Sequence, residues 1–167
     1  MNAAGELAFL ARGKRSIVYR VLNSDAVVKT PHPTTKACNH LAIEARFLEI
    51  LNRHGIGPKL ISYREGELKM AYVPGERIDR FLARADRNTC EAVLQKVISQ
   101  LAVMDRLGIN KAELNHPYKH IIVRPDLTPV LIDFERCRHT ERPQNINQFR
   151  EYLKRTGYGH LLPSSPA

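Results

Sequence analysis

The chain has 167 residues, with 26 Lys and Arg against 17 Asp and Glu, a formal net charge of +9. Hydrophobic residues make up 43%, and 9 Gly and 10 Pro are ordinary globular usage, which excludes a disordered or low-complexity chain. This length normally holds one domain, or two small lobes sharing a core. The apolar runs, Leu7 to Ala11 and Pro129 to Ile132, fall far short of the ~20 residues of a membrane span. Glu6 stands where a secretory signal would be basic, so neither export nor membrane attachment is expected. Cys38, Cys90 and Cys137 lie far apart without a CxxC pair, which argues against a disulfide framework or a cysteine-rich zinc site and for reduced thiols in a cytoplasmic protein. The positive charge leaves an anionic partner open, nucleic acid included.

In chain order, Leu7 to Ala11, Ile17 to Leu22 and Ala26 to Lys29 are β-branched or apolar runs separated by turn residues, predicting three antiparallel strands. After Pro31 and Pro33, Thr34 or Thr35 is placed to cap a helix whose apolar positions Leu41, Ile43, Ala45, Phe47, Leu48, Ile50 and Leu51 run toward Gly55. Leu60 to Tyr63 and Leu68 to Val73 read as a hairpin turning at Arg64-Glu65-Gly66-Glu67. Pro74-Gly75 marks a boundary, dividing the chain at 1–73 and 74–167. Beyond it come a short helix over Ile78 to Leu82, a longer one from Thr89 to Leu107 ended by Gly108, and a loop from Asn110 to Lys119. A hairpin of His120 to Val123 and Val130 to Asp133 follows, then a helix over Gln144 to Lys154 and a frayed Gly-, Pro- and Ser-rich tail.

Several side chains stand out against these elements. Lys29 ends an apolar strand, and reads either as a strand-end lysine reaching water or as an ammonium aimed at phosphate. Glu44 sits among apolar helix neighbours; a pair with Lys29 resolves both, and an ordinary surface glutamate is the alternative. Asp133 directly follows Val130-Leu131-Ile132, at the end of a buried strand, where a carboxylate either binds a cation or caps nearby amides. Glu113, 20 residues earlier in a polar loop, is a second candidate acid.

Taken in order, the small-residue turn, strand lysine, helix glutamate, hairpin, linker, long helix, loop acid and Asp-Phe hairpin resemble the protein-kinase fold over about residues 8–138. The closest resemblance is to short atypical kinases: the RIO type, the small kinase of the KEOPS complex, and predicted bacterial and archaeal serine/threonine kinases. It implies an α+β, minimal two-lobed fold, with a five-stranded antiparallel N-lobe carrying one inserted helix and a reduced helical C-lobe. It further implies an ATP- and Mg²⁺-dependent serine/threonine phosphotransferase. Val27-Val28-Lys29 resembles the phosphate-binding lysine strand, and Ile43-Glu44-Ala45-Arg46 the partner helix. Met70 to Gly75, with Met70 and Tyr72, resembles the adenine-binding hinge, and Leu131-Ile132-Asp133-Phe134 the metal-binding strand. Gly13, Lys14, Arg15 and Ser16 stand at the phosphate loop, which has one glycine where kinases have three. Lys111-Ala112-Glu113 replaces His-Arg-Asp, with Glu113 implied to orient the accepting hydroxyl. His120 falls near the place of the metal-binding Asn, although imidazole suits Mg²⁺ poorly; Asp133 as main ligand, or an oxygen from Asn115, are the alternatives.

Glu135 replaces the last glycine of Asp-Phe-Gly, as a second carboxylate or as partner to Arg136 or Arg138. Asp126 reads as a turn residue. Small size implies substrate selection delegated to a protein partner, with Ser164 and Ser165 among possible acceptors. Two other readings stand beside the kinase: an inactive nucleotide-binding adaptor, from the thin glycine loop and Lys111-Ala112-Glu113, and a basic RNA-associated module, from Arg136, Arg138, His139 and Arg142.

Overall fold

The computed structural model describes residues 6–36 and 39–162, so Cys38, Ser164, Ser165 and the end of the predicted tail lie outside the described residues. The chain divides into two compact units: residues 1–72 with 134–136, and residues 73–133 with 137–167. The class is α+β.

In the first unit, β1 (Leu7–Arg12), β2 (Ser16–Val21), β3 (Ala26–Pro31), β4 (Leu60–Arg64) and β5 (Glu67–Ala71) form an antiparallel sheet of order β1-β2-β3-β5-β4. The uninterrupted apolar run of Ala26-Val27-Val28 makes β3 the central strand, buried on both faces. The β4–β5 hairpin closes through Glu65 (φ 52°) and Gly66 (φ 80°), two positive φ values that suit the right-handed strand twist. Helix α1 (His40–Asn52) is inserted between β3 and β4. Its N-cap is Asn39 in the left-handed region, not Thr34 or Thr35. Those threonines are drawn instead into a turn around His32, which Thr34 meets with its amide and hydroxyl at Nδ1 and Thr35 with its amide at the carbonyl. The buried face carries Leu41, Ala45, Phe47, Leu48 and Leu51 together with His40 and Glu44, while Ile43 turns outward. Asn52 then ties the loop after the helix, donating to the carbonyls of Ile56 and Pro58 and accepting the Leu60 amide.

The second unit is built on α3 (Arg87–Arg106), whose residues Cys90, Val93, Leu94, Val97, Leu101 and Met104 form one buried stripe. Around it lie α2 (Ile78–Arg84) and α4 (Asn145–Arg155), the latter burying Phe149, Tyr152 and Leu153. The predicted hairpin is present as β8 (Ile121–Val123) and β9 (Pro129–Leu131), but it is not two-stranded: β6 (Glu76–Arg77) adds to β8. The predicted Asn110 to Lys119 loop opens with a strand, β7 (Ile109–Lys111), paired with β10 (Cys137–His139). Strands of two or three residues are too short to leave a periodicity. Asp126 caps the β8–β9 turn, its carboxylate accepting the Thr128 amide at 3.0 Å. Cys90 and Cys137 are buried, and burial pushes the Cys90 thiol up. No described helix is long and apolar enough to cross a membrane.

Helix α3 begins two residues before the predicted Thr89 because Asp86 caps it, accepting the Thr89 amide at 2.9 Å and the Thr89 hydroxyl at 2.7 Å. These bonds, the hydroxyl's first, hold the Asp86 carboxyl below its ordinary value of 3.8. A depressed carboxyl adds stability above the unfolded value and loses it as pH falls through the folded one. Asp86→Ala should therefore lower the urea midpoint at neutral pH, and the gap from wild type should close as pH falls below 3.8.

Candidate active site

In the first unit, the register of β3 sets Lys29 opposite Val18 on one side and Leu68 on the other. Its ammonium is buried and donates to Glu44 Oε2 at 2.7 Å, while Glu44 itself is fully enclosed. The other oxygen of Glu44, Oε1, accepts the backbone amide of Phe134 at 3.1 Å. One carboxylate on α1 thus holds the strand lysine with one oxygen and the residue after Asp133 with the other. The Phe134 ring is buried against the space left by Gly57: a Cβ there would lie 3.0 Å from the ring and 2.9 Å from Leu48.

Glu135 does not turn to Arg136 or Arg138. Its carboxylate accepts the Ser16 hydroxyl at 3.3 Å and lies 3.6 Å from Lys29 Nζ and 3.9 Å from the Arg15 guanidinium. With the Phe134 amide anchored on Glu44, the next side chain meets the positive charge of Lys29 and Arg15. Ser16 also meets His40 Nε2 at 3.1 Å. Gly13 closes the β1–β2 turn, its amide donating to the Ser16 carbonyl, and Lys14 is exposed at the tip. Of the predicted hinge residues, Met70 lies two positions from Leu68 along β5, and so shares a sheet face with Lys29. Tyr72 is committed locally: its amide donates to the Asp25 carbonyl at 2.9 Å and its ring stacks under the Arg20 guanidinium at 3.8 Å.

In the second unit, Glu113, His120 and Asp133 come together. His120 Nε2 is 3.6 Å from Glu113 Oε2, and His120 Nδ1 is 3.6 Å from Asp133 Oδ2. Glu113 (φ 76°) and Asp133 (φ 66°) both have positive φ, a conformation costing a non-glycine residue about 1–2 kcal/mol that persists where the surroundings impose it. Asp133 is not at the end of a buried strand as expected: β9 stops at Leu131, and the Asp133 side chain is about one-third exposed. An aspartate beside an imidazole, open to solvent, is a donor set that fits a divalent cation.

Two features went unread in the sequence. Lys111 is buried, and its ammonium donates to the backbone carbonyl of Asp133. Asn145 is also buried: its carboxamide accepts the Lys111 amide and donates to the Ile109 carbonyl, both at 2.7 Å, and donates to Asp105 Oδ1 at 2.7 Å. The available signal was polarity out of place, since Asp105 directly follows the apolar stripe of α3. His120, not Asn115, stands beside Asp133; Asn115 is exposed, its carbonyl taken by Arg155. Arg136, Arg138, His139 and Arg142 are exposed.

The sequence profile of APH, the phosphotransferase enzyme family, matches residues 6–120. The chain belongs to this family. No curated protein matches this chain in sequence. Its fold is that of Rio2 kinase from Chaetomium thermophilum. The crystal structure of that kinase's ADP/Mg²⁺-phosphoaspartate complex is similar with a TM-score of 0.67 and 15% identity, over 97% of this chain and 57% of that one. A second Rio2 kinase structure from the same organism gives 0.66 and 15%, over 98% and 60%. The chain thus spans about three-fifths of the length of the kinase structures it resembles.

Because Glu44 is fully enclosed, removing Lys29 leaves a buried carboxylate uncompensated, at about 3–5 kcal/mol, whereas Lys29 without Glu44 keeps the Glu135 carboxylate at 3.6 Å. In a double-mutant cycle measured by urea unfolding, Lys29→Met should cost about that much and Glu44→Gln less. The pair together should cost less than the sum, because the double variant leaves neither buried charge without its partner.

Proposed function

We propose that the chain is an ATP-dependent kinase of the small atypical type, moving the γ-phosphoryl group of ATP to a serine or threonine hydroxyl of a protein in the cytoplasm. The observation that carries this reading is the double use of Glu44, which holds the Lys29 ammonium and the amide next to Asp133 with one carboxylate. In this reading Gly13, Lys14 and Ser16 line the phosphates, Lys29 binds them, and Met70 and Tyr72 face the adenine. Asp133 and His120 hold the divalent cation, and Glu113 orients the acceptor. A bound Mg²⁺ would neutralise charge on the phosphate oxygens. The acceptor oxygen forms a bond to Pγ as the bond from Pγ to the bridging oxygen of ADP breaks, and the hydroxyl proton passes to the Glu113 carboxylate. The protein's contribution is positioning and charge, with no covalent intermediate.

With γ-labelled ATP and a generic protein acceptor, Asp133→Ala should cut transfer by roughly a hundredfold or more. Glu113→Gln should lower kcat by about 10²–10⁴-fold with little change in nucleotide affinity. Undiminished transfer in Asp133→Ala would refute the assignment.

A second reading, a nucleotide binder without turnover, is favoured by Glu135, whose carboxylate lies against Arg15, Ser16 and Lys29, where phosphates would sit. It predicts ATP binding without transfer, with Glu135→Gln binding a fluorescent ATP analogue several-fold more tightly than wild type.

A further inference from the structure

Strand β1 is an edge of the first unit's sheet, with β2 on one side and no strand on the other among the described residues. The direction of its free backbone groups follows from one bond: the Glu6 carbonyl accepts the Leu22 amide at 2.8 Å. In an antiparallel pair, hydrogen-bonded and non-hydrogen-bonded positions alternate. Leu7 and Phe9, opposite Val21 and Tyr19, are therefore the non-bonded positions, and their N–H and C=O groups point away from β2. Just beyond them Leu10 is an extra residue, at the register shift between Phe9 and Ala11, where the strand bends.

The same two residues carry apolar side chains into solvent: Phe9 is 66% exposed and Leu7 47%. Both share a sheet face with Tyr19, Val21 and Val28, and the Phe9 ring meets Tyr19 edge-on at 6.5 Å. Lys29 pairs with Val18 and so lies on the opposite face. Edge strands are ordinarily blunted by charge or proline, and Leu7 to Ala11 carries neither.

A second β1, running antiparallel about a two-fold axis at Ala8, fits this edge. That register sets Leu7 opposite Phe9 of the other copy, so every outward N–H of these residues meets an outward C=O and the apolar side chains pair across the axis. Ala8 meets Ala8 at a closely spaced non-bonded position, where a small side chain fits. Charge selects both the direction and the edge. Glu6 precedes β1 and Arg12 ends it, and neither has an ion-pair partner among the described residues. Antiparallel pairing brings each Glu6 to the basic end of the other copy, opposite Leu10 and two residues from Arg12. The other edge strand, β4, lies between Lys59 and Arg64, and pairing with itself would bring like charges together.

We propose that the chain forms a two-fold dimer in which β1 pairs antiparallel with β1 of a second copy about Ala8, joining the two sheets into one. The contact uses the same edge of both copies, so assembly closes at two. None of its residues belongs to the phosphotransfer machinery proposed above, so loss of the dimer leaves that reading untouched.

Sedimentation velocity of the full chain over a concentration series should show a reversible dimer with a Kd on the order of 10 µM, weak because an edge contact falls below the standard interface size. Leu7→Pro deletes an N–H that β2 does not use; it should keep the wild-type far-UV circular dichroism and raise Kd about tenfold or more. Phe9→Lys, which leaves the backbone intact, should do the same. Under mild oxidation Ala8→Cys should form a disulfide-linked dimer well ahead of Leu10→Cys and of wild type, because only position 8 faces itself across the axis. A wild-type chain that stays monomeric at about ten times the expected Kd overturns the proposal. So does a dimer released only by deleting residues 1–5, since the chain's own first residues would then be the occupant of the edge. A dimer indifferent to Leu7→Pro and Phe9→Lys, or Leu10→Cys linking as fast as Ala8→Cys, overturns it by placing the contact elsewhere or in another register. Species that grow past two copies with concentration also overturn it, because they require a head-to-tail contact.

Discussion

The first unit depends on an ion pair that water does not reach. Taking a carboxylate and an ammonium out of water costs several kcal/mol per ion, and their attraction offsets this only if every remaining lone pair is also used. Glu44 meets that condition by accepting the Phe134 amide with its second oxygen. The consequence is geometric: the face of α1, the position of Lys29 on β3 and the course of residues 134–136 are set by one side chain. Gly57 completes the arrangement by leaving the volume that the Phe134 ring fills.

The second unit solves a different problem, holding two acids in backbone conformations that they do not favour. Positive φ at Glu113 and Asp133 must be imposed from outside. Two buried polar groups bond the backbone around them: the Lys111 ammonium at the Asp133 carbonyl, and the Asn145 carboxamide at two backbone groups of β7, the strand that leads toward Glu113. Such networks rigidify when fully satisfied, because the same low dielectric that strengthens each bond penalises any that is missing.

Much of this was legible from residue order. The Val27-Val28-Lys29 strand, the Glu65-Gly66 turn and the apolar stripe of α3 each state a local preference strong enough to survive folding. What was hidden falls into two kinds. Strands β6, β7 and β10 have two or three residues each, so no alternation can form. The roles of Glu135, Lys111 and Asn145 depend on partners far away in sequence, which spacing cannot reveal. Thr34 and Thr35 misled because their hydroxyls suit a cap, yet the chain spends them on a turn around His32. Asp133 misled because an acid after an apolar run reads as strand, whereas β9 ends two residues earlier.

Asn145 carries one last implication. Its carboxamide meets β7 as a neighbouring strand would, one donor and one acceptor in the right order, with Asp105 gripping its nitrogen from behind. What it supplies is therefore hydrogen-bond sense, and its volume matters little. An aspartate of the same shape would turn the donor into an acceptor, facing the Ile109 carbonyl and the Asp105 carboxylate with nothing to give either. Exchanging one nitrogen for one oxygen, with no void and no clash, would unfasten the strand that carries Lys111 and leads into Glu113.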